Sequence, residues 1–303
     1  MIRRMVESDL EAVDRIFRLA FGTFIGLPDP MKFAAGKEYV RSRWLATPEG
    51  ALTAEIDGEV AGSNFATAWG SFGYFGPLTT RPELWNRGIA KELLAPTMEL
   101  FERWGVREAG LFTFPQSTKH IALYQKFGFW PRFLTALMGK TASAHASEFT
   151  KFSTLTPERK AEAIEGCRKL TDSIFDGLDV RREVEVVESQ KLGDTVLIWG
   201  GRLEGFAVCH CGAGTEAGPD ACYIKFAAAD SARNFERLVD ACESFAAERG
   251  MARIETGVNT AREEAYRAML ARGFRTVVQG VAMQRPNGAG YNRPGVFLLD
   301  DWR

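Results

Sequence analysis

One order of secondary-structure signals runs through this chain twice, and that repeat restricts the available folds more than any bulk property does. The first pass begins with an amphipathic helix around Asp9 to Phe21, followed by a loop, "FGTFIGLPDPMKF", and a helix around Lys37 to Leu45. Strands "ALTAEID" and "EVAGSNFATAWG" come next, joined by Asp57-Gly58, a hairpin-turn pair whose residues tolerate positive φ. Strand "GYFGPLTT" leads into a helix from about Ala90 to Trp104, then strand "EAGLFTF", the short helix "KHIALYQKF", Gly128 as its left-handed stop, and a strand from Phe129. The second pass opens on Thr156 as N-cap with Pro157 at the first helical position. Strands "TVLIWG", "GFAVCHC" and "ACYIKFAAAD", a long helix, strand "MARIETGV", helix "REEAYRAMLAR", Gly273 and strand "FRTVVQGVAMQ" follow in the same order. The offset is about 145 residues, too long for a solenoid repeat and right for two related domains. The small, polar stretch "GKTASAHASEFTKFS" between them reads as a linker. The expected division is 1–143, a linker at 144–154, and 155–303.

Composition narrows the function classes. A net charge of -1 offers no basic face for nucleic acid, so no nucleic-acid partner is expected. No apolar run approaches the roughly 18 residues of a membrane span, so no membrane partner is expected either. The opening "MIRRMVESDLEAVDRIF" lacks a signal-peptide core, which points to the cytoplasm. Five cysteines form no disulfide framework. The cluster Cys209-His210-Cys211, with Cys222 nearby, offers soft ligands. On a strand, however, Cys209 and Cys211 share one face and His210 takes the other, so no metal is expected.

The stretch "LTTRPELWNRGIAKELL" carries the most chemistry. A strand gives way to a turn whose smallest residues, Gly88 and Ala90, stand where a helix begins. The first N–H groups of a helix lack internal partners and sit at the positive end of its dipole. Small side chains there let an anion approach, and the geometry suits a pyrophosphate. Arg87 can add charge.

This stretch resembles the acetyl-coenzyme A motif of the GNAT acyltransferase superfamily, which runs strand, Pro-Glu, then Q/R-x-x-G-x-G/A; Pro82-Glu83, Arg87-Gly88-Ile89-Ala90 and Leu93-Leu94 match. A second stretch, "STKHIALYQKFGF", resembles the family's N-x-x-A-x-x-L-Y-x-K-x-G-F signature through Leu123-Tyr124, Lys126 and Gly128-Phe129. Trp85, Asn86 and Ser117 depart from the usual Gln or Arg, Gly and Asn.

The resemblance implies an α/β (α+β) fold of two tandem GNAT-like domains, each a mixed, mostly antiparallel twisted sheet flanked by helices. It implies acetyl-CoA or another acyl-CoA as co-substrate. Main-chain groups of Leu78, Thr79 and Thr80 would hold its pantetheine arm, Asn86, Arg87, Gly88, Ile89 and Ala90 would hold its phosphates, the Trp85 indole would cover the cofactor or pack on the domain, and Ser117 would contact either region. Tyr124 falls where the family keeps a general acid for the departing thiolate; Glu55 and Glu83 are the available carboxylates for the amine proton, and Glu83 reads as a turn or cap residue, which leaves Glu55 as the candidate base. The apolar loop around Phe24 and Ile25 borders the acceptor side, where a small-molecule or peptide amine would bind. The second half lacks a glycine at its turn, "ADSARNF", and has Met269 where the first has Tyr124. It therefore reads as a degenerate domain that shapes the acceptor pocket or stands in for a dimer partner, leaving a monomer or a homodimer. A non-catalytic acyl-CoA-binding module is the alternative.

Overall fold

The computed structural model describes residues 1–303. Its first half contains β1 (Ile2–Arg4), α1 (Leu10–Phe24), α2 (Val40–Ala46), β2 (Ala51–Ile56), β3 (Glu59–Trp69), β4 (Phe72–Phe75) and β5 (Thr79–Thr80). It continues through α3 (Ile89–Arg103), β6 (Glu108–Thr113), α4 (Thr118–Gln125) and β7 (Trp130–Thr141). After β8 (Thr150–Lys151), the second half runs α5 (Pro157–Ile174), α6 (Arg181–Ser189), β9 (Gly193–Trp199), β10 (Leu203–Gly212), β11 (Gly218–Ala229), α7 (Ala232–Glu248), β12 (Arg253–Asn259), α8 (Glu263–Ala271), β13 (Arg275–Arg285) and β14 (Phe297–Leu299). No helix is long and apolar enough to cross a membrane.

Local chemistry accounts for these elements. Helix α1 buries Leu10, Val13, Ile16, Phe17 and Ala20, one face at helical spacing. Asp57 and Gly58 both lie at positive φ, 53° and 79°, as a tight hairpin requires. Gly128 and Gly273 end α4 and α8 in the left-handed region. Alternation along β9 and β10 sends Leu197, Phe206 and Val208 into a core with α5 and α6, while Val196, Ile198, Ala207 and Cys209 face α7. The thiols of Cys209 and Cys211 therefore lie on the α7 side, and His210 lies across the sheet from them.

All the strands join one mixed sheet, mainly antiparallel, and its order crosses between the halves. The central order is β4-β6-β13-β7-β12-β11. β6 of the first half pairs with β13 of the second, Val281 opposite Thr113. β12 of the second pairs with β7 of the first, Val258 opposite Ala136. Each half thus gives its last long strand to the other. The exchange is symmetric at the same residue offset as the repeat, and the facing pair Thr135 and Gly280 marks its pseudo-two-fold centre.

The segment predicted as a linker is tied down. The main-chain N–H of His145 donates to Ser244 Oγ at 3.1 Å, and Ser143 Oγ donates to Glu243 at 2.9 Å, both on α7.

Candidate functional site

The parallel pair β4 and β6 stays in register only from Phe72 opposite Glu108 to Tyr74 opposite Gly110. Beyond it the two strands part. Gly76 N–H donates to Phe65 at 2.8 Å, and Thr79 and Thr80 pair with Ser63 and Gly62 of β3. Residues Leu111 to Thr113 pair on their other side, with β13. A gap therefore opens between β5 and β6, bordered by the starts of α3 and α4, the helices that follow those strands. Leu78, at the parting, has a main-chain N–H without a hydrogen-bond partner in the chain.

Helix α3 begins on Gly88, left-handed at φ 85°, with no side chain capping it. The N–H groups of Gly88, Ile89, Ala90 and Lys91 have no partner. A Cβ placed on Gly88 meets nothing within 4 Å, so the approach is open. Asn86 is also left-handed, at φ 69°, a conformation asparagine tolerates. Trp85 turns back, its indole donating to Thr80 O at 3.1 Å, and so pins the turn to β5. Arg87 is exposed. Lys119, a residue the motif comparison did not single out, reaches across from α4 to hydrogen-bond Asn86 Oδ1 and adds positive charge at this mouth. Unpaired donors, the helix dipole and this lysine suit a phosphate-bearing ligand such as coenzyme A.

Ser117 caps α4, accepting from His120 N–H at 3.4 Å. Its hydroxyl proton is left for a further acceptor. One face of α4 carries His120 and, a turn later, Tyr124. Tyr124 is buried beside Phe75, Leu94, Met98 and Phe129, and its hydroxyl has no partner in the chain. Burial raises its pKa, keeping the phenol protonated at working pH. His120 is half-buried with its ring 5.0 Å from that of Phe24. Burial and then Lys119 lower its pKa, so the imidazole is neutral at pH 7.

The loop after α1 is an aromatic wall. Phe24 packs on Phe114 at 5.2 Å, Phe21 stacks on Phe33 at 5.1 Å, and Ile25 is 44% exposed. Arg18 holds the loop's far side, donating to the carbonyls of Phe33, Ala34 and Lys37 at 2.9–3.0 Å.

Glu55 is not brought to this gap. It lies on β2, separated from β5 by β3, and its carboxylate accepts from Arg3 Nε at 2.8 Å. The sequence places it on a strand but does not reveal the arginine, distant in sequence, that occupies it.

The corresponding place in the second half is filled. β11 and β12 pair only from Ala221 opposite Arg253 to Ile224 opposite Thr256, and then β14 enters, pairing with Ala227 to Ala229. Buried Arg262 donates to Leu298 O at 2.8 Å and pairs with Asp300, fixing the inserted strand. At the start of α7, Ser231 Oγ accepts from Asn234 N–H at 3.3 Å, so the helix supplies its own cap. Met269, the counterpart of Tyr124, is wholly buried.

Residues 13–129 match the acetyltransferase (GNAT) family. Across nearly its whole length the chain also resembles solved structures. A protein from Pyrococcus horikoshii described as a candidate acetyltransferase aligns at TM-score 0.68 and 18% identity, covering 97% of this chain and 90% of its own. A GCN5-related N-acetyltransferase from Sphaerobacter thermophilus aligns at 0.58 and 14%, covering 94% and 95%. One from Anabaena variabilis aligns at 0.53 and 14%, covering 95% and 73%. At such identities the likeness is one of fold. No curated protein matches the sequence.

Proposed function

We propose, on the premise that residues 13–129 form a GNAT-family domain, that this protein is an acyl-CoA-dependent N-acyltransferase acting on a primary amine of a small molecule or peptide. The carrying observation is the capless start of α3, four unpaired N–H groups behind an open Gly88, at the mouth of the gap between β5 and β6. Acetyl-CoA, the simplest donor, supplies the thioester that the amine attacks, with coenzyme A leaving as a thiolate.

The chain's own residues do the rest. Gly88 through Lys91, with Lys119 and Arg87, hold the phosphates. The Leu78 N–H polarises the thioester carbonyl, a preorganised donor with no competing partner. Tyr124 gives its phenolic proton to the departing sulfur, which in the same dry gap is more basic than a free thiolate. His120 takes the amine's proton, being neutral and without a partner for its ring nitrogens. Phe24 and Ile25 favour an amine with an apolar body over a polycation. The second half holds no coenzyme A, because β14 stands where its gap would be.

Calorimetry with coenzyme A and thiol release over a panel of amines test this together. One site per chain with turnover is expected. Binding without turnover on any amine would favour an acyl-CoA-sensing module, and no binding would end the reading.

A further inference from the structure

We infer that Glu216, a residue of the second half, is a positioning residue for the first half's site: through Arg43 it fixes the Gly76–Leu78 backbone that borders the gap. The inference rests on the acyltransferase reading for its catalytic consequence, but its geometry stands apart from that reading.

Glu216 lies in the loop between β10 and β11 and its side chain is fully buried. It accepts from Arg43 Nε at 2.9 Å and Nη2 at 2.8 Å, the two-point match of a guanidinium fork to a carboxylate. Arg43, on α2, is buried as well, and its remaining Nη1 donates to the Gly76 carbonyl at 2.7 Å. The guanidinium is planar and rigid, so two bonds to Glu216 set the direction of the third. Gly76 stands where the chain leaves β4, at φ 148°. Pro77 follows with its φ fixed by the ring. An anchored Gly76 carbonyl therefore restricts where the Leu78 N–H can point.

The anchor is itself secured. Lys225 Nζ lies 3.4 Å from Glu216 and 3.1 Å from Glu183, so the buried carboxylate faces two cations. Burial pushes the Glu216 pKa up, but Arg43 and Lys225 outweigh it and hold the group ionised. The neighbouring Thr215 carbonyl accepts from Glu38 N–H at 2.9 Å, and Lys37 pairs with Glu255 at 3.0 Å. The second half thus grips Lys37 and Glu38, just before α2, as well as Arg43 within it. The contacts that continue to the gap are those on Arg43, from Glu216 and from the Arg303 carbonyl, which accepts from Nη2 at 2.6 Å.

The test uses Glu216→Gln and the milder Arg43→Lys, which keeps the charge facing Glu216 but cannot make the third bond. Asp300→Asn, which disrupts the buried Arg262 pair of the second half, is the control. Backbone hydrogen exchange over residues 74–80, acetyl-CoA KM and kcat are measured on the full chain. Expected for both test variants is exchange at least threefold faster there. A fall in kcat of about tenfold or more is also expected, with acetyl-CoA KM within twofold, because a displaced N–H donor weakens the transition state more than binding. Asp300→Asn is expected to lower the melting temperature with neither effect. Unchanged exchange over 74–80 in Arg43→Lys, or an equal rise in Asp300→Asn, overturns the inference. A wild-type protein without turnover would sink the acyltransferase reading, and exchange alone would then decide the positioning. If Glu216→Gln does not fold, Arg43→Lys decides it.

Discussion

Two substitutions at Gly88 separate shape from charge at the start of α3. Its backbone, at φ 85° and ψ −4°, is one that only glycine adopts freely, and a Cβ there meets nothing within 4 Å. Gly88→Ala therefore adds conformational strain and no clash, about 1 kcal/mol for one left-handed residue. In a chain of this size that lowers the melting temperature by about 2 °C. Gly88→Glu carries the same strain and also places a carboxylate among four unpaired N–H groups. Two unit charges roughly 6 Å apart repel by about 3 kcal/mol at an effective dielectric near 20. Side-chain swing and screening reduce this, while the second phosphate charge increases it. A net penalty near 3 kcal/mol corresponds to about a hundredfold weaker binding than in the alanine variant. Titration calorimetry with coenzyme A at one ionic strength, on variants with matched melting temperatures, gives the ratio. A glutamate variant within about threefold of the alanine variant would refute the reasoning, because the phosphates would then lie elsewhere.

Tyr124→Phe removes a hydroxyl that bonds nothing in the chain, so coenzyme A affinity and melting temperature are expected to hold while kcat falls at least about tenfold where chemistry limits the rate; an unchanged kcat there excludes the acid role. Because burial and Lys119 hold the His120 pKa below its ordinary value, the acid limb of kcat/KM belongs beneath about pH 6.5, and it should disappear in His120→Asn. The same limb persisting in the variant would assign it to another group. Phe24→Ala with Ile25→Ala is expected to raise the acceptor KM severalfold and leave acetyl-CoA KM alone; a loss of thermal stability with both constants fixed would make the loop purely structural.

Much of this was legible because it is local. The Asp57-Gly58 turn, the Thr156 cap with Pro157, the stops at Gly128 and Gly273, and the turn before α3 all express preferences carried by a few adjacent residues. Partner choice is not local. Burial along β7 and β13 runs in blocks, an exposed stretch and then a mostly buried one, and the same pattern stands in both strands, so nothing in the sequence announces the exchange. Glu55 was placed on a strand correctly, but its occupation by Arg3 depends on a residue 52 positions away. The Arg43 to Glu216 pair spans 173 positions, and no motif links them. Lys119 and His120 stand inside a recognised signature, but their contacts with Asn86 and Phe24 follow from how two loops pack.

The exchanged strands also govern how the chain can be made. β6 is complete by residue 113, but its sheet neighbour β13 begins only at residue 275, so synthesis leaves an uncovered hydrogen-bonding edge while the residues between them emerge. At ribosomal speeds of about 5–20 residues per second, that exposure lasts roughly ten seconds or more. During it β7, already made and adjacent in sequence, is the nearest substitute for β13. A first half that captures its own β7 leaves the second half's β12 paired with β11 alone, one edge open. Two chains caught in that state hold complementary open edges, which is the starting point for a swapped dimer. Closing the sheet is therefore a choice between two strands, made only once synthesis has passed residue 275.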